Sequence, residues 1–149
     1  MKILAIDPGT TESAYVVWDG QLIHAKGKII NADLKGLLHH CEANVMAVEM
    51  IASYGMPVGK EVFETCLFIG KLLERWEALE RLPAELIYRK DIKIHHCGSM
   101  KAKDGNIRQA LIDRFGVPGT KKQPGITYGV SNDIWSALAI GVYYFDKNN

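Results

Sequence analysis

Two acidic residues each end an apolar run of this sequence, in positions where a carboxylate is costly to bury. Asp7 follows Ile3-Leu4-Ala5-Ile6 and precedes the turn pair Pro8-Gly9, and Glu49 follows the run Val45–Val48. Burying a carboxylate is unfavourable unless a cation or a hydrogen-bond donor compensates it. Asp7 alone is also explained as a cap of its turn, since Asp commonly occupies such positions. A second acid in the same kind of position favours a shared chemical role.

A third acid, Asp133, lies where a helix is predicted to begin. Ser131 is the predicted N-cap, and Ile134, Leu138 and Val142 recur at helical spacing. Asp133 then falls in the first turn, where the helix dipole favours a negative charge. Two adjacent strands with a helix end at their tips would bring three carboxylates together. Such a cluster repels itself, and Mg²⁺ or Mn²⁺ with oxygen ligands is its natural counter-charge.

The elements that must position these acids are strands and helices, as in an α/β fold. Strands are predicted over Lys2–Asp7, Ser13–Trp18 and Asn44–Met50, and helices over Asp33–Glu42 and Gly59–Leu82. Each of the three tryptophans lies within a patterned segment, so we expect all of them in the core: Trp18, Trp76 and Trp135.

Three motifs resemble the RuvC family of Holliday junction resolvases, within the RNase H-like superfamily. They are the Ile6-Asp-Pro-Gly-Thr-Thr11 opening, the Val48-Glu49 strand end and the Asp133-x-x-Ser136-Ala-Leu-Ala helix. The resemblance runs from Lys2 to about Tyr144 and is closest to the short RuvC-like proteins of bacteriophages. It implies one RNase H-like nuclease domain over residues 1–149, with a mixed five-stranded sheet flanked by helices. It also implies a homodimer that makes paired, Mg²⁺-dependent nicks in four-way DNA junctions during recombination and repair.

The resemblance assigns Asp7, Glu49 and Asp133 as catalytic ligands of two Mg²⁺ ions, which Mn²⁺ would replace. The family usually has a second acid three residues further along the last helix, where this chain has Ser136. Residues three apart share a helix face, so Ser136 would still face the ions. Three carboxylates completed by water or by Ser136 would suffice, or another residue fills the gap. Because Mg²⁺ is stricter about geometry, we expect Mn²⁺ to support activity better.

Basic residues are concentrated in one part of a chain whose net charge is only +1. Residues 1–80 carry seven basic and eleven acidic side chains, whereas residues 89–122 carry nine basic and three acidic ones. Any single lysine here is explained as part of a solvated face, but the cluster favours phosphate contacts. Two loops, Gly98–Gly105 and the flexible Gly119–Gly125, are expected to lean over the acids. The resemblance assigns Lys103, and by a looser match Lys93, to the scissile phosphate. The full set of expected DNA contacts is Tyr54, Lys60, Lys93, Lys101, Lys103, Arg108, Lys121 and Lys122.

The segment after Glu49 leaves two structural alternatives open. Tyr54 lies in an apolar loop and either stacks on a DNA base, as an aromatic does in the RuvC family, or packs on its own domain. The apolar stripe of the following helix is broad, so this helix is either one wide core element or is shared between the core and a two-fold interface. Gly70 within it suggests close approach by a neighbouring element.

Composition excludes several other classes of protein. Three widely spaced cysteines (Cys41, Cys66 and Cys97) fit no metal-binding spacing, and we expect buried free thiols. No signal peptide or membrane-spanning run is recognised, so cytoplasm is expected, or host cytoplasm for a phage protein. The Asp-x-Gly-Thr-Thr turn also occurs in sugar kinases and heat-shock ATPases. Those proteins need two such domains, so we expect no nucleotide cofactor. A junction-binding protein without cleavage and a broader branched-DNA nuclease remain as alternatives.

Overall fold

A computed structural model describes residues 1–149 and contains five strands and five helices. The strands are β1 (Ile3–Asp7), β2 (Glu12–Trp18), β3 (Ile23–Ile30), β4 (Val45–Met50) and β5 (Glu85–Tyr88). The helices are α1 (Asn31–His40), α2 (Lys60–Glu77), α3 (Arg89–Cys97), α4 (Asp104–Phe115) and α5 (Asp133–Asn148). None of these helices combines the length and the apolar character that crossing a membrane requires.

The strands form one mixed sheet in the order β3-β2-β1-β4-β5, which confirms the predicted α/β fold and five-stranded sheet. β1 pairs with β2 in antiparallel and with β4 in parallel orientation, and β4 pairs in parallel with β5. The carboxyl ends of β1, β4 and β5 therefore meet at one edge of the sheet. Residues that end these three strands, or follow them directly, are brought together by topology alone.

Both faces of the sheet are buried, which explains why the central strands are apolar throughout. Ile3 and Ala5 of β1 face one layer, formed by α3, α4 and α5, whereas Leu4 and Ile6 face the other, formed by α1 and α2. Helix α5 lies close against β1 and β2. A Cβ atom at Gly141 would stand 3.3 Å from the Cβ of Ala5. This close approach fixes the helix whose first residue is Asp133.

The predicted positions of β1, β2, β4 and α1 are confirmed to within about two residues, and all three tryptophans are buried. The predicted extent of the long helix is wrong at its end, because α2 stops at Glu77 and not near Leu82. Glu80 adopts a positive φ of 55°, and the indole N–H of Trp76 donates a 2.8 Å hydrogen bond to the carbonyl of Leu82. The chain thus folds back over the helix before Pro83.

Three further expectations are corrected. The Ser131 side chain does not cap α5: the N-cap position is Asn132, with φ 45°, and Ser131 contributes only its carbonyl, which accepts a hydrogen bond from the Ile134 N–H. Nothing approaches Gly70, since a Cβ atom there would meet no atom within 4 Å. The three cysteines are free, as expected, but partly exposed and not fully buried.

Candidate active site

Asp7 and Glu49 form the centre of the site, on adjacent parallel strands. Asp7 is the last residue of β1, and Glu49 follows Val48, which pairs with Ile6 in the parallel register. Because side chains alternate along a strand, Asp7 shares a face with Ile3 and Ala5, and Glu49 shares it with Ala47. Both carboxyl groups therefore point towards the layer that contains α5.

Their proximity strongly perturbs the ionisation of Asp7. The pKa of Asp7 is raised from 3.8 to about 8, first by burial and then by the charge of Glu49 and a hydrogen bond with it. The charge of Asp133 raises this pKa further, whereas Arg89 lowers it. Two carboxylates placed this close repel each other, and a bound cation would relieve that repulsion.

Asp133 lies near this pair but is held by a lysine from the edge of the sheet. Its Oδ2 accepts a 2.7 Å hydrogen bond from Nζ of Lys28 on β3, and the same Nζ lies 3.6 Å from Glu12. The contact with Asp133 raises the pKa of Lys28. In this arrangement no three Asp, Glu, His or Cys side chains converge closely enough to hold a metal ion together. Of the three predicted ligands, two are in contact and the third is adjacent.

Arg89 supplies a second cation, at the end of the sheet opposite to that of Lys28. It is the first residue of α3, directly after β5, and therefore lies at the same sheet edge as the acids. Its Nη1 lies 3.4 Å from Oε1 of Glu49, and its Nη2 contacts the carboxylate of Asp104 at the start of α4. Arg89 thus links the sheet edge to α4.

A cavity of about 330 Å³ opens beside Asp133, and Ser136 lines the same cavity. Asp133 and Ser136 therefore share a helix face, as predicted, but neither Asp7 nor Glu49 lines this cavity. Asp104 is the other carboxylate in its lining. The cavity is lined by Arg89, Asp104, Gly105, Ile107, Arg108, Asn132, Asp133, Trp135 and Ser136.

A second pair of cavities extends from Glu49 towards the loop that carries Tyr54. One, of about 260 Å³, is lined by Glu49, Tyr54 and Arg89 among others, and the next, of about 200 Å³, adds Lys90 and Lys93. The side chain of Tyr54 is 63% exposed. The alternative in which Tyr54 packs on its own domain is therefore wrong.

The remaining predicted DNA contacts lie further from the acids. Lys103 is exposed at the N-cap of α4 and does not line the cavity, whereas Arg108 on the same helix does. Lys60 begins α2 and lies 3.5 Å from Glu64, and Lys101 is exposed in the loop before α4.

Lys121 and Lys122 lie at the tip of a tight hairpin. The hairpin is closed by hydrogen bonds from the Thr120 N–H to the Gln123 carbonyl and from the Gly125 N–H to the Pro118 carbonyl. The segment that was expected to be a flexible loop is thus a hairpin whose shape is defined by backbone pairing.

Three charged residues of the site had no role assigned from the sequence: Lys28 and Arg89, which contact the acids, and Asp104, which contacts Arg89. Lys28 lies on a strand that was not predicted, because β3 alternates only weakly and is half exposed. The sequence did carry a signal for Arg89, because this residue directly follows an apolar strand, just as Asp7 follows the apolar residues of β1. Asp104 stands at a helix start, which is a common place for Asp, so its type carried no distinct signal.

The donor set fits a hard divalent cation. Asp7, Glu49 and Asp133 offer carboxylate oxygens only, which are the ligands that Mg²⁺ and Mn²⁺ prefer. The pKa of Asp7 is raised first by burial and then by the neighbouring charges of Glu49 and Asp133, and a bound cation would offset both effects. Asp133 would join the pair by giving up its contact with Lys28, in which both side chains are partly exposed.

Solved structures with the same architecture come from bacteria, yeast and a virus. Thermus thermophilus RuvC in complex with a Holliday junction substrate matches with a TM-score of 0.72 and 15% identity, covering 97% of this chain and 93% of that one. The yeast mitochondrial Holliday junction resolvase Ydc2 matches with a TM-score of 0.63 and 13% identity, and the match covers 95% of this chain and 78% of that one. The fowlpox virus resolvase, solved with Holliday junction DNA, matches with a TM-score of 0.55 and 13% identity, and the match covers 97% of this chain and 99% of that one.

Comparison with protein-family models found no match, and comparison with curated protein sequences found none either. At such low identity the structural likeness establishes the fold, and it agrees with the resemblance drawn from the three sequence motifs. The chain has the fold of the RuvC resolvases.

Proposed function

We propose that this protein is a structure-selective DNA endonuclease that resolves four-way junctions by metal-dependent phosphodiester hydrolysis. The observation that carries the proposal is the Asp7–Glu49 pair at the carboxyl edge of two parallel strands, with Asp133 beside it. The matched structures include two resolvases bound to Holliday junction DNA, which supports a branched substrate. We also propose that it acts in the cytoplasm, or in the host cytoplasm if the protein is phage-encoded.

Asp7, Glu49 and Asp133 would together hold two Mg²⁺ or Mn²⁺ ions, with the Ser136 hydroxyl as an additional neutral ligand. Bound ions would activate a water molecule and stabilise the charge that develops on the leaving 3′-oxygen. The water molecule would lose a proton as its oxygen adds to phosphorus, the bond from phosphorus to the 3′-oxygen would break, and that oxygen would take up a proton from solvent. The products are a 5′-phosphate and a 3′-hydroxyl, which a ligase can rejoin.

The basic residues would hold the DNA backbone around this centre. Arg108 lines the cavity beside Asp133, and Lys93 lines the cavity beside Tyr54. Both would therefore be within reach of a DNA strand that crosses the three acids. Tyr54 is exposed and would stack on a base near the junction centre. Lys103 would reach the scissile phosphate from the start of α4. The outer contacts would come from Lys60, Lys101, Lys121 and Lys122.

We further propose a homodimer, because paired nicks in a junction of approximate two-fold symmetry need two equivalent active sites. Helix α2 buries Ile69, Leu72 and Trp76 against the sheet, but it exposes Phe63 and Leu67 on another face. Their side chains are 60% and 68% exposed and lie four residues apart. This face supports the alternative in which α2 is shared between the core and the interface.

The test is cleavage of a synthetic four-way junction by the wild type and by Asp7→Asn, with Mg²⁺, with Mn²⁺ and with neither. We expect symmetric nicks with either ion, faster with Mn²⁺. Asp7→Asn should lose at least a hundredfold in rate because a ligand charge is removed, while junction affinity stays within about threefold. Cleavage by Asp7→Asn at the wild-type rate would refute the assignment of Asp7.

Two other functions are separated by the same experiment. A junction-binding protein without nuclease activity is favoured by Ser136, which lacks the usual charge, and it would shift the junction in a gel without cutting it. A broader debranching nuclease would cut forks and flaps as fast as junctions. Three retained acids favour a nuclease over a binding protein.

A further inference from the structure

Arg89 occupies a central position in the candidate site, although no sequence motif assigned it a role. It follows β5 directly, and β5 pairs in parallel with β4, so Arg89 lies at the edge that carries Asp7 and Glu49. Its side chain is 28% exposed, which leaves it accessible to a substrate but not freely mobile. The position is set by strand topology and not by a long surface loop.

Arg89 is also the residue that the three cavities around the acids have in common. It lines the cavity of Asp133 and Ser136, the cavity of Glu49 and Tyr54, and the cavity of Tyr54 and Lys93. A DNA strand that reaches from the acids to Tyr54 would have to pass over its guanidinium group. The other cation in contact with the acids, Lys28, lies on the far side and is held between Asp133 and Glu12.

The contacts of Arg89 leave donors free for a phosphate. A guanidinium group carries five N–H donors in a planar fork that matches phosphate oxygens. Nη2 contacts Asp104, while Nη1 lies 3.4 Å from Glu49, which is longer than the usual 2.7–2.9 Å of a charge-assisted hydrogen bond. Asp104 therefore holds the guanidinium group from one side, and on the other side the contact of Nη1 with Glu49 is weak.

We infer that Arg89 is a catalytic residue that contacts the phosphate being cut, and that Asp104 is the positioning residue that aims it. The inference rests on the proposed nuclease function. A phosphodiester carries a negative charge and must approach three carboxylates, so a fixed cation at that point lowers the repulsion. It also stabilises the additional charge that develops on the phosphate oxygens during hydrolysis.

The test compares wild type, Arg89→Gln, Arg89→Lys and Asp104→Asn, with Arg75→Gln as a control that removes the same charge from the exposed end of α2. Three quantities are measured: the single-turnover cleavage rate at saturating enzyme, the junction Kd without divalent ions, and Mn²⁺ binding by electron paramagnetic resonance. The Mn²⁺ measurement separates two roles of Arg89: contacting the phosphate, and positioning Glu49 as a metal ligand.

We expect Arg89→Gln to lower the cleavage rate by about a hundredfold or more. Its junction Kd should stay within about threefold of wild type, and its Mn²⁺ affinity should be unchanged or higher because a competing cation is gone. Arg89→Lys should recover part of the rate, since it keeps the charge but loses the fork. Asp104→Asn should lose about tenfold, with no further loss when added to Arg89→Gln. Arg75→Gln should behave as wild type.

Each alternative result has a distinct meaning. If wild type cuts and Arg89→Gln cuts within threefold of it, the role of Arg89 is refuted and the nuclease function stands. If Arg89→Gln loses Mn²⁺ binding in step with its rate, Arg89 acts through Glu49 and the contact with phosphate is refuted. If Asp104→Asn loses Mn²⁺ binding, Asp104 is a metal ligand and not the positioning residue. If wild type cuts no junction, both proposals fail.

Discussion

At the scale of the residue, the site is governed by an imbalance of charge. Asp7 and Glu49 face each other at the sheet edge, and the two nearby cations, Lys28 and Arg89, contact Asp133 and Glu49. Neither cation forms an ion pair with Asp7, and the pKa of Asp7 is raised to about 8. The protein thus stores negative potential at the position where a divalent ion would bind.

The shifted pKa of Asp7 predicts how stability depends on pH in the presence of a chelator. Asp7 titrates near 3.8 in the unfolded chain and near 8 in the folded protein, so the folded state binds more protons between these values. The free energy of unfolding should therefore fall as pH rises from about 5 to 8. Asp7→Asn cannot ionise and should be the more stable protein at pH 8, by on the order of 1–3 kcal/mol.

Urea unfolding at pH 5 and pH 8 in EDTA measures this difference. Asp33→Asn, at an exposed position on α1, is the matched control and should follow the wild type at both values. A wild-type protein whose stability rises between pH 5 and 8, with Asp7→Asn showing the same slope, would contradict the charge imbalance at this pair.

At the scale of the element, α5 presents Asp133 and Ser136 to one cavity because three residues nearly complete a helical turn. Ser136→Asp should therefore add a carboxylate to the same site. We expect Mn²⁺ to bind on the order of tenfold more tightly, since affinity rises with ligand charge, and half-maximal cleavage to need less metal. Calorimetric titration with Mn²⁺ measures the change.

Asn148→Asp, which adds the same charge at the far end of α5, is the control and should leave Mn²⁺ affinity unchanged. If Ser136→Asp left the affinity unchanged as well, the Ser136 face would lie outside the metal site. The assignment of Asp7 and Glu49 would not depend on that result.

The elements also show what could be predicted from the sequence. β1 and β4 were predictable because each is an apolar run closed by an acid and followed by turn residues. β3 was not, because Lys26, Gly27 and Lys28 interrupt any apolar alternation, and the strand is defined by its pairing with β2. The contact between Lys28 and Asp133 joins residues 105 positions apart, so only the register of the sheet reveals it.

At the scale of the whole molecule, the proposed function requires the site to meet DNA and a second copy of the chain. The net charge is only +1, so the proposed DNA binding would depend on the basic side chains concentrated in residues 89–122. The fold was predictable from three short motifs even though the matched structures are only 13–16% identical. The homodimer that the resemblance implies stays a prediction, because the apolar stripe of α2 is compatible with a core or with an interface.

If the protein forms the proposed dimer through α2, negative charge added to the exposed face of that helix should separate the two copies. Phe63→Glu combined with Leu67→Glu should shift the protein from a species of twice 16.6 kDa to one of 16.6 kDa in sedimentation at micromolar concentration. Both side chains are exposed in the single chain, so the melting temperature of the monomer should change little. Gln21→Glu, in an exposed turn, should remain dimeric. A wild type that sediments as a monomer, or a double variant that stays dimeric, would refute this interface.

Anomalous diffraction from Mn²⁺-soaked crystals would show whether the Asp7–Glu49 pair holds catalytic divalent ions. We expect an anomalous peak within coordination distance of both carboxylates, with Oδ2 of Asp133 moved away from Lys28 and towards the ion. A crystal at millimolar Mn²⁺ with no peak at this pair, and with Asp133 still bound to Lys28, would contradict it.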